Sequence, residues 1–355
     1  MALGCSVPAT PAAYHPAKTN PNSPTANVSP SGNRARTDRA SSDAPAPDPA
    51  LAGLGQGPVT PEQRRALLRA MGELLRRRYV FPETAASVEQ KLIEAERRGD
   101  YDALSTLKQL AARLTDDLQR HAADKHLRVR EVPSGDGSPA GAFALPNADN
   151  QGYAESTLLE GNVGYVDVRF FAPAEVAQEA AGRAMEAVAT ADALVFDLRN
   201  NMGGAPSGVQ YLCSYLFAGK VHLNSLYWRE GERTEEFWTL DEIRGKKRPD
   251  VPVFVLTSER TFSGAEEFAY NLQTRKRATI VGEVTRGGAN PGGSFPLAPG
   301  LLMNVSTGRA INPVTKTNWE GVGVQPNVRV DDEEQALERA LELARAAANS
   351  RRQSH

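Results

Sequence analysis

The sequence predicts an α/β protein whose layered core follows a small helical domain and a long leader, and three observations carry that expectation. From Gly161 onward, short apolar runs alternate with amphipathic stretches of helical length, the pattern of buried strands covered by helices. Between Thr60 and Leu118, leucines recur at helical spacing. The first 58 residues hold 10 of the 24 prolines but only one aromatic residue, Tyr14. So few large apolar groups cannot offset the entropy of ordering, and a disordered leader is expected over 1–58.

In chain order, Thr60-Pro61-Glu62-Gln63 combines an N-cap, a first-turn proline and a capping-box glutamine, so a helix should start there, with Leu67, Leu68, Met71, Leu74 and Leu75 on its inner face. A second helix should open after Phe81-Pro82 and stop at Gly99, and a third should run from Ala103 with a stripe from Leu104 to Leu118. These leucines read as core. The helical domain is expected over 59–130, followed by a turn-rich connector over 131–160. The core over 161–350 should alternate strands at 163–168, 193–198, 253–257 and 279–282 with helices at 174–189, 207–217 and from Ser263, and should end in a helix at 333–348.

Lys and Arg total 41 against 43 Asp and Glu, a net charge of −2, which argues against a nucleic-acid partner because such binding needs clustered basic charge. Arg76, Arg77 and Arg78 read as a solvated helix face. No window approaches the roughly 18 apolar residues of a membrane span. The two cysteines, Cys5 and Cys213, lie far apart and supply neither a disulfide framework nor a metal site, and no cofactor motif is present.

Two segments carry the chemistry. Gly203-Gly204 follows the buried run 193–198, where paired glycines can turn their N–H groups toward whatever sits above the sheet, as in an oxyanion hole or in a plain turn. Ser263-Gly264 opens a helix after the run 253–257. There a serine is either a nucleophile facing free N–H groups or an ordinary N-cap, and local sequence leaves both readings open.

Taken together, the motifs Gly164-Tyr165-Val166, the stretch 197–204, Thr261-Phe262-Ser263-Gly264-Ala265-Glu266 and Gly282-Glu283-Val284-Thr285 resemble, in order and spacing, the C-terminal processing (tail-specific) serine peptidases. The stretch 312–326, with Asn318-Trp319-Glu320-Gly321 at its centre, is similar to the branch containing interphotoreceptor retinoid-binding protein and its bacterial relatives. The resemblance implies a ClpP/crotonase-like α/β core and a peptidase acting on peptide or unfolded-protein substrates. In the processing peptidases a lysine base stands 25 positions after the nucleophile, where this chain has Gly288. The similar tricorn-type peptidases use a histidine before the PDZ insertion and a late glutamate, and the matching positions are His126 and Glu320. The implied site is therefore Ser263 as nucleophile, His126 as base and Glu320 as the orienting acid, with Gly203, Gly204 and Gly264 around the oxyanion and no metal.

Asn290 stands where close relatives carry a histidine, and Lys125 where the tricorn-type site has a serine. Residues 127–160 are too few for a PDZ module of roughly 80 to 100 residues, so tag recognition of that kind is not expected. Met1-Ala2-Leu3-Gly4-Cys5-Ser6 resembles the end of a bacterial lipoprotein signal, which implies a lipid anchor at Cys5 and a cell-envelope or secreted location; the basic and apolar regions of a signal are not in the sequence, and the other reading is a chance match with a cytoplasmic location. The rival reading is an apolar-ligand binding protein on the same scaffold. An acyl-CoA hydratase or isomerase has only topology in its favour.

Overall fold

The computed structural model describes residues 48–132 and 149–353. Cys5, most of the expected leader and much of the connector lie outside the described residues.

Ordered structure begins before the expected boundary at 58. A 3-10 turn at Pro49–Leu51 is capped by Asp48, and Leu51 and Leu54 are buried against the helices. Two leucines in a Pro-rich stretch suffice to dock it. Helix α1 (Pro61–Arg78) starts at the Thr60/Gln63 capping box, and α2 (Pro82–Arg97) follows. Helix α3 (Leu107–Ala122) starts later than expected because a second capping box, Thr106 with Gln109, sets its first turn. A short strand, β1 (Arg128–Glu131), comes next.

The core then runs β2 (Tyr153–Leu159), β3 (Val163–Val168), α4 (Ala174–Ala187), β4 (Ala193–Asp197), α5 (Pro206–Ser214), β5 (His222–Trp228) and β6 (Arg233–Trp238). It continues with β7 (Val253–Thr257), α6 (Gly264–Thr274), β8 (Thr279–Gly282), β9 (Gly292–Ala298), β10 (Leu301–Ser306), β11 (Gly308–Ile311), β12 (Val328–Arg329) and α7 (Glu333–Gln353).

The main sheet has the order β12-β8-β7-β4-β3-β2, parallel except for the edge strand β2. Every residue of β4 and β7 is buried, as strands covered on both faces require. Leu194, Phe196 and Val255 face α4, α5 and α6. Ala193, Val195, Phe254 and Leu256 face α7, whose Ala336, Ala340, Ala344 and Ala348 form a stripe of small side chains that lets the helix lie close on the sheet.

The helical domain does not stand alone. Its core includes Val129, Leu297, Leu301, Met303 and Val305, because β1 pairs antiparallel with β10 and β10 with β9. The sequence reading missed this sheet and the second small one, β11-β5-β6: β6 is largely exposed, and polar residues such as Asn224, Ser225 and Asn304 interrupt β5 and β10, so none carries the continuous apolar runs of β4 and β7. Among the described residues, no helix is long and apolar enough to cross a membrane.

Candidate active site

The site lies beyond the carboxyl ends of β4 and β7, where an open parallel sheet leaves a crevice between strand-to-helix turns. Strand β7 feeds the turn that ends at Ser263 and α6. An ordinary N-cap has extended backbone, as Thr60 and Thr106 do, but Ser263 has φ 54° and ψ −119°. That conformation costs a side-chain-bearing residue about 1–3 kcal/mol and persists only when its surroundings enforce it. Glu266 supplies much of the enforcement. Its buried carboxylate accepts the Ser263 N–H at 2.8 Å, the Gly287 N–H at 2.6 Å, the Gly288 N–H at 2.9 Å and the Thr285 hydroxyl. Burial pushes this carboxyl up to about 6 even though all four donors favour its charged form. Sequence reasoning quoted Glu266 without giving it a role, and the signal was there: a glutamate three residues after a helix-opening serine.

The loop leaving β4 is stitched to that turn. Thr261 donates its hydroxyl to the Leu198 carbonyl at 2.8 Å, Ser258 to that of Arg199 at 2.6 Å, and the Phe262 N–H reaches the Asn201 carbonyl at 3.1 Å. Gly203 passes so close to the Ser263 turn that a Cβ there would stand 2.8 Å from both the Gly264 nitrogen and the Ser263 Cβ. Its own N–H is committed to Asn201 Oδ1 at 2.8 Å. Of the three glycines expected around an oxyanion, Gly203 therefore shapes the turn and has no free donor. The Gly204 and Gly264 amides have no hydrogen-bond partner among the described residues, and a Cβ on Gly264 would lie 3.1 Å from the Gly204 nitrogen, so the two amides are neighbours.

His126 arrives from the other core. Helix α3 ends in a left-handed turn at Ala123, Gln119 donates to the carbonyls of Lys125 and Leu127 on either side of the histidine, and β1 anchors the segment to β10. The result is a distance of 3.1 Å between His126 Nε2 and Ser263 Oγ. Phe262 packs on the imidazole at 4.5 Å between ring centroids, with the Arg286 guanidinium 5.2 Å from the centroid of Phe262. Gly288 closes the arrangement. A Cβ there would lie 2.2 Å from Phe262 Cε2 and 2.9 Å from His126 Cε1, so the position that holds lysine in the processing peptidases has no room for a side chain beside this histidine.

Glu320 lies next to the imidazole but makes no hydrogen bond to it. Its carboxylate accepts the Lys125 N–H at 3.1 Å, the Ala289 N–H at 2.5 Å and the Asn290 N–H at 3.0 Å. The indole of Trp319, donating to the Gly288 carbonyl at 2.8 Å, and the Gly321 N–H, donating to the Gly287 carbonyl, fix this segment to the 287–290 loop. Asp124, which the sequence reading did not single out, is fully buried beside it. It accepts the His126 N–H at 2.9 Å and the Asn290 side-chain amide at 3.1 Å. Asn290 thus fills its unexpected position as a donor to Asp124. Burial, then the charge of Asp124, pushes the Tyr79 hydroxyl up.

Burial pulls the imidazole down to about 4; the charge of Asp124 opposes that shift, while Arg128 and Arg286 add to it. Burial, then Asp124, pushes Glu320 up to about 7. Asp124, His126 and Glu320 present donor atoms within 4.8 Å of one another, and each of the four carboxylate oxygens already accepts a protein N–H.

Residues 162–330 match the family described as Peptidase family S41, and residues 60–154 match the domain described as the N-terminal domain of Peptidase_S41 in eukaryotic IRBP. The chain is 28% identical over 171 residues to Carboxyl-terminal-processing peptidase 2, chloroplastic, of Arabidopsis thaliana, covering 46% of this chain and 31% of that protein. It is 32% identical over 124 residues to the carboxyl-terminal-processing protease of Synechocystis sp., covering 35% and 27%. The chain therefore spans about a third of the length of these curated relatives. A solved structure from Parabacteroides merdae shares the fold, with a TM-score of 0.58 over 80% of this chain and 96% of that one at 17% identity.

Proposed function

The chain belongs to peptidase family S41, and from that membership we propose that it is a serine-type endopeptidase that hydrolyses peptide or unfolded-protein substrates through an acyl-enzyme on Ser263. The observation that carries the reading is the 3.1 Å contact between Ser263 Oγ and His126 Nε2, on a backbone held in a costly conformation by a four-donor carboxylate. A serine hydroxyl is a weak nucleophile until a base takes its proton. His126, neutral over the physiological range because its pKa is depressed, takes that proton as Oγ attacks the carbonyl carbon. The oxyanion that forms is met by the adjacent Gly204 and Gly264 amides at the positive end of α6. The imidazolium then protonates the leaving amine, and water releases the acyl group by the reverse sequence.

A fluorophosphonate, which reacts with activated serines, should label the purified protein at Ser263. Ser263→Ala should abolish both labelling and cleavage of labelled casein while leaving the fold intact. Equal cleavage by the variant and the wild type would assign the activity to a contaminant and end the reading.

A further inference from the structure

We propose that Asp124, rather than Glu320, is the acid that orients His126 and supplies the charge facing its imidazole, as a positioning residue of the peptidase read above. For Nε2 to accept the Ser263 proton, the neutral ring must carry its hydrogen on Nδ1. That Nδ1 is buried without a partner, which costs about 1–3 kcal/mol if left so. Two carboxylates share its pocket as acceptors, Asp124 and Glu320.

Their surroundings separate them. Glu320 is held by three backbone amides from two segments, two of them on one oxygen, and turning it toward the ring would strand those donors. Asp124 sits two residues before the histidine in the same turn. Besides the His126 N–H, its donor is a side chain, the Asn290 amide, which can follow a small rotation. Electrostatics points the same way. Asp124 is the carboxylate whose charge favours the imidazolium, whereas Glu320, pushed up to about 7, is the group that takes up a proton when the pocket holds one. The other charges bearing on the ring, Arg128 from β1 and Arg286 from the loop after β8, are cations and oppose the imidazolium.

The test compares Asp124→Asn, Asp124→Glu and Glu320→Gln in the full chain, reading the His126 tautomer by nitrogen-15 NMR and the rate of fluorophosphonate labelling. Wild type and Glu320→Gln should carry the Nδ1–H tautomer and label within tenfold of each other. Asp124→Asn should flip the ring to Nε2–H and slow labelling about 10³-fold or more, and Asp124→Glu, which keeps the charge, should restore the Nδ1–H form. A flipped tautomer in Glu320→Gln, or an unchanged one in Asp124→Asn, overturns the assignment. If Asp124→Asn does not fold, Glu320→Gln alone still decides. The tautomer is read without turnover, so an unlabelled Ser263 in wild type would fail the peptidase reading and leave this result standing.

Discussion

Replacing Gly288 with alanine adds one methyl group, and the structure says where that carbon goes. It would lie 2.2 Å from Phe262 Cε2, 2.6 Å from Cζ and 2.9 Å from His126 Cε1. Carbon atoms rest about 3.5–4.0 Å apart, so Phe262 must retreat by about 1.3 Å or more and the imidazole packed against it by somewhat less. The Ser263–His126 contact has no slack for that movement. At 3.1 Å it is already near the long end of a hydrogen bond, and a displacement of about 1 Å takes it out of range. Misplacing a catalytic group by about 1 Å costs on the order of 10²-fold in rate. The overpacking itself should lower stability by about 1–3 kcal/mol. Gly288→Ala should therefore fold, melt several degrees lower, and label with a fluorophosphonate about 10²-fold more slowly than wild type at a temperature where both are folded. Gly288→Lys should be worse, since a lysine cannot enter while His126 occupies the space. A Gly288→Ala protein labelling at the wild-type rate would show that the ring stack does not hold the base in place, and would remove the steric reason for glycine at this position.

The pH profile gives a further expectation. A base whose pKa is depressed loses its proton at lower pH, so kcat/KM should already be near its plateau by about pH 5–6 instead of rising through the 6.5 of a free histidine; an acid limb centred near 7 would instead tie activity to the ionisation of Glu320. At the amino end, Leu51→Ala should destabilise the protein by about 2–4 kcal/mol, because Leu51 is buried among α1 and its neighbours. Chemical denaturation would measure this, and a change under 0.5 kcal/mol would restore the leader boundary to 58.

The strands of the main sheet and the helices on them were legible in the sequence, because a strand covered on both faces must be apolar throughout and its neighbouring helices must carry a stripe. Residues 193–197 and 253–257 meet the first condition and the alanines of α7 the second. The caps at Thr60 and Ser263 were legible for the same local reason: unsatisfied amides at a helix start select particular residue types within three positions. What local sequence could not supply was the group that faces Ser263, which lies 137 positions away. Only the tertiary structure brings the two together, since the pairing of β1 with β10 fixes the turn that carries His126, and neither strand announces its partner. It also decided which donors are free. Gly203 and Gly204 read alike in sequence, yet one amide is committed to Asn201. Asp124 stayed hidden because a buried acid looks in sequence like any surface aspartate. Its character comes from burial and from the Asn290 amide, a donor 166 positions away that folding brings to its carboxylate.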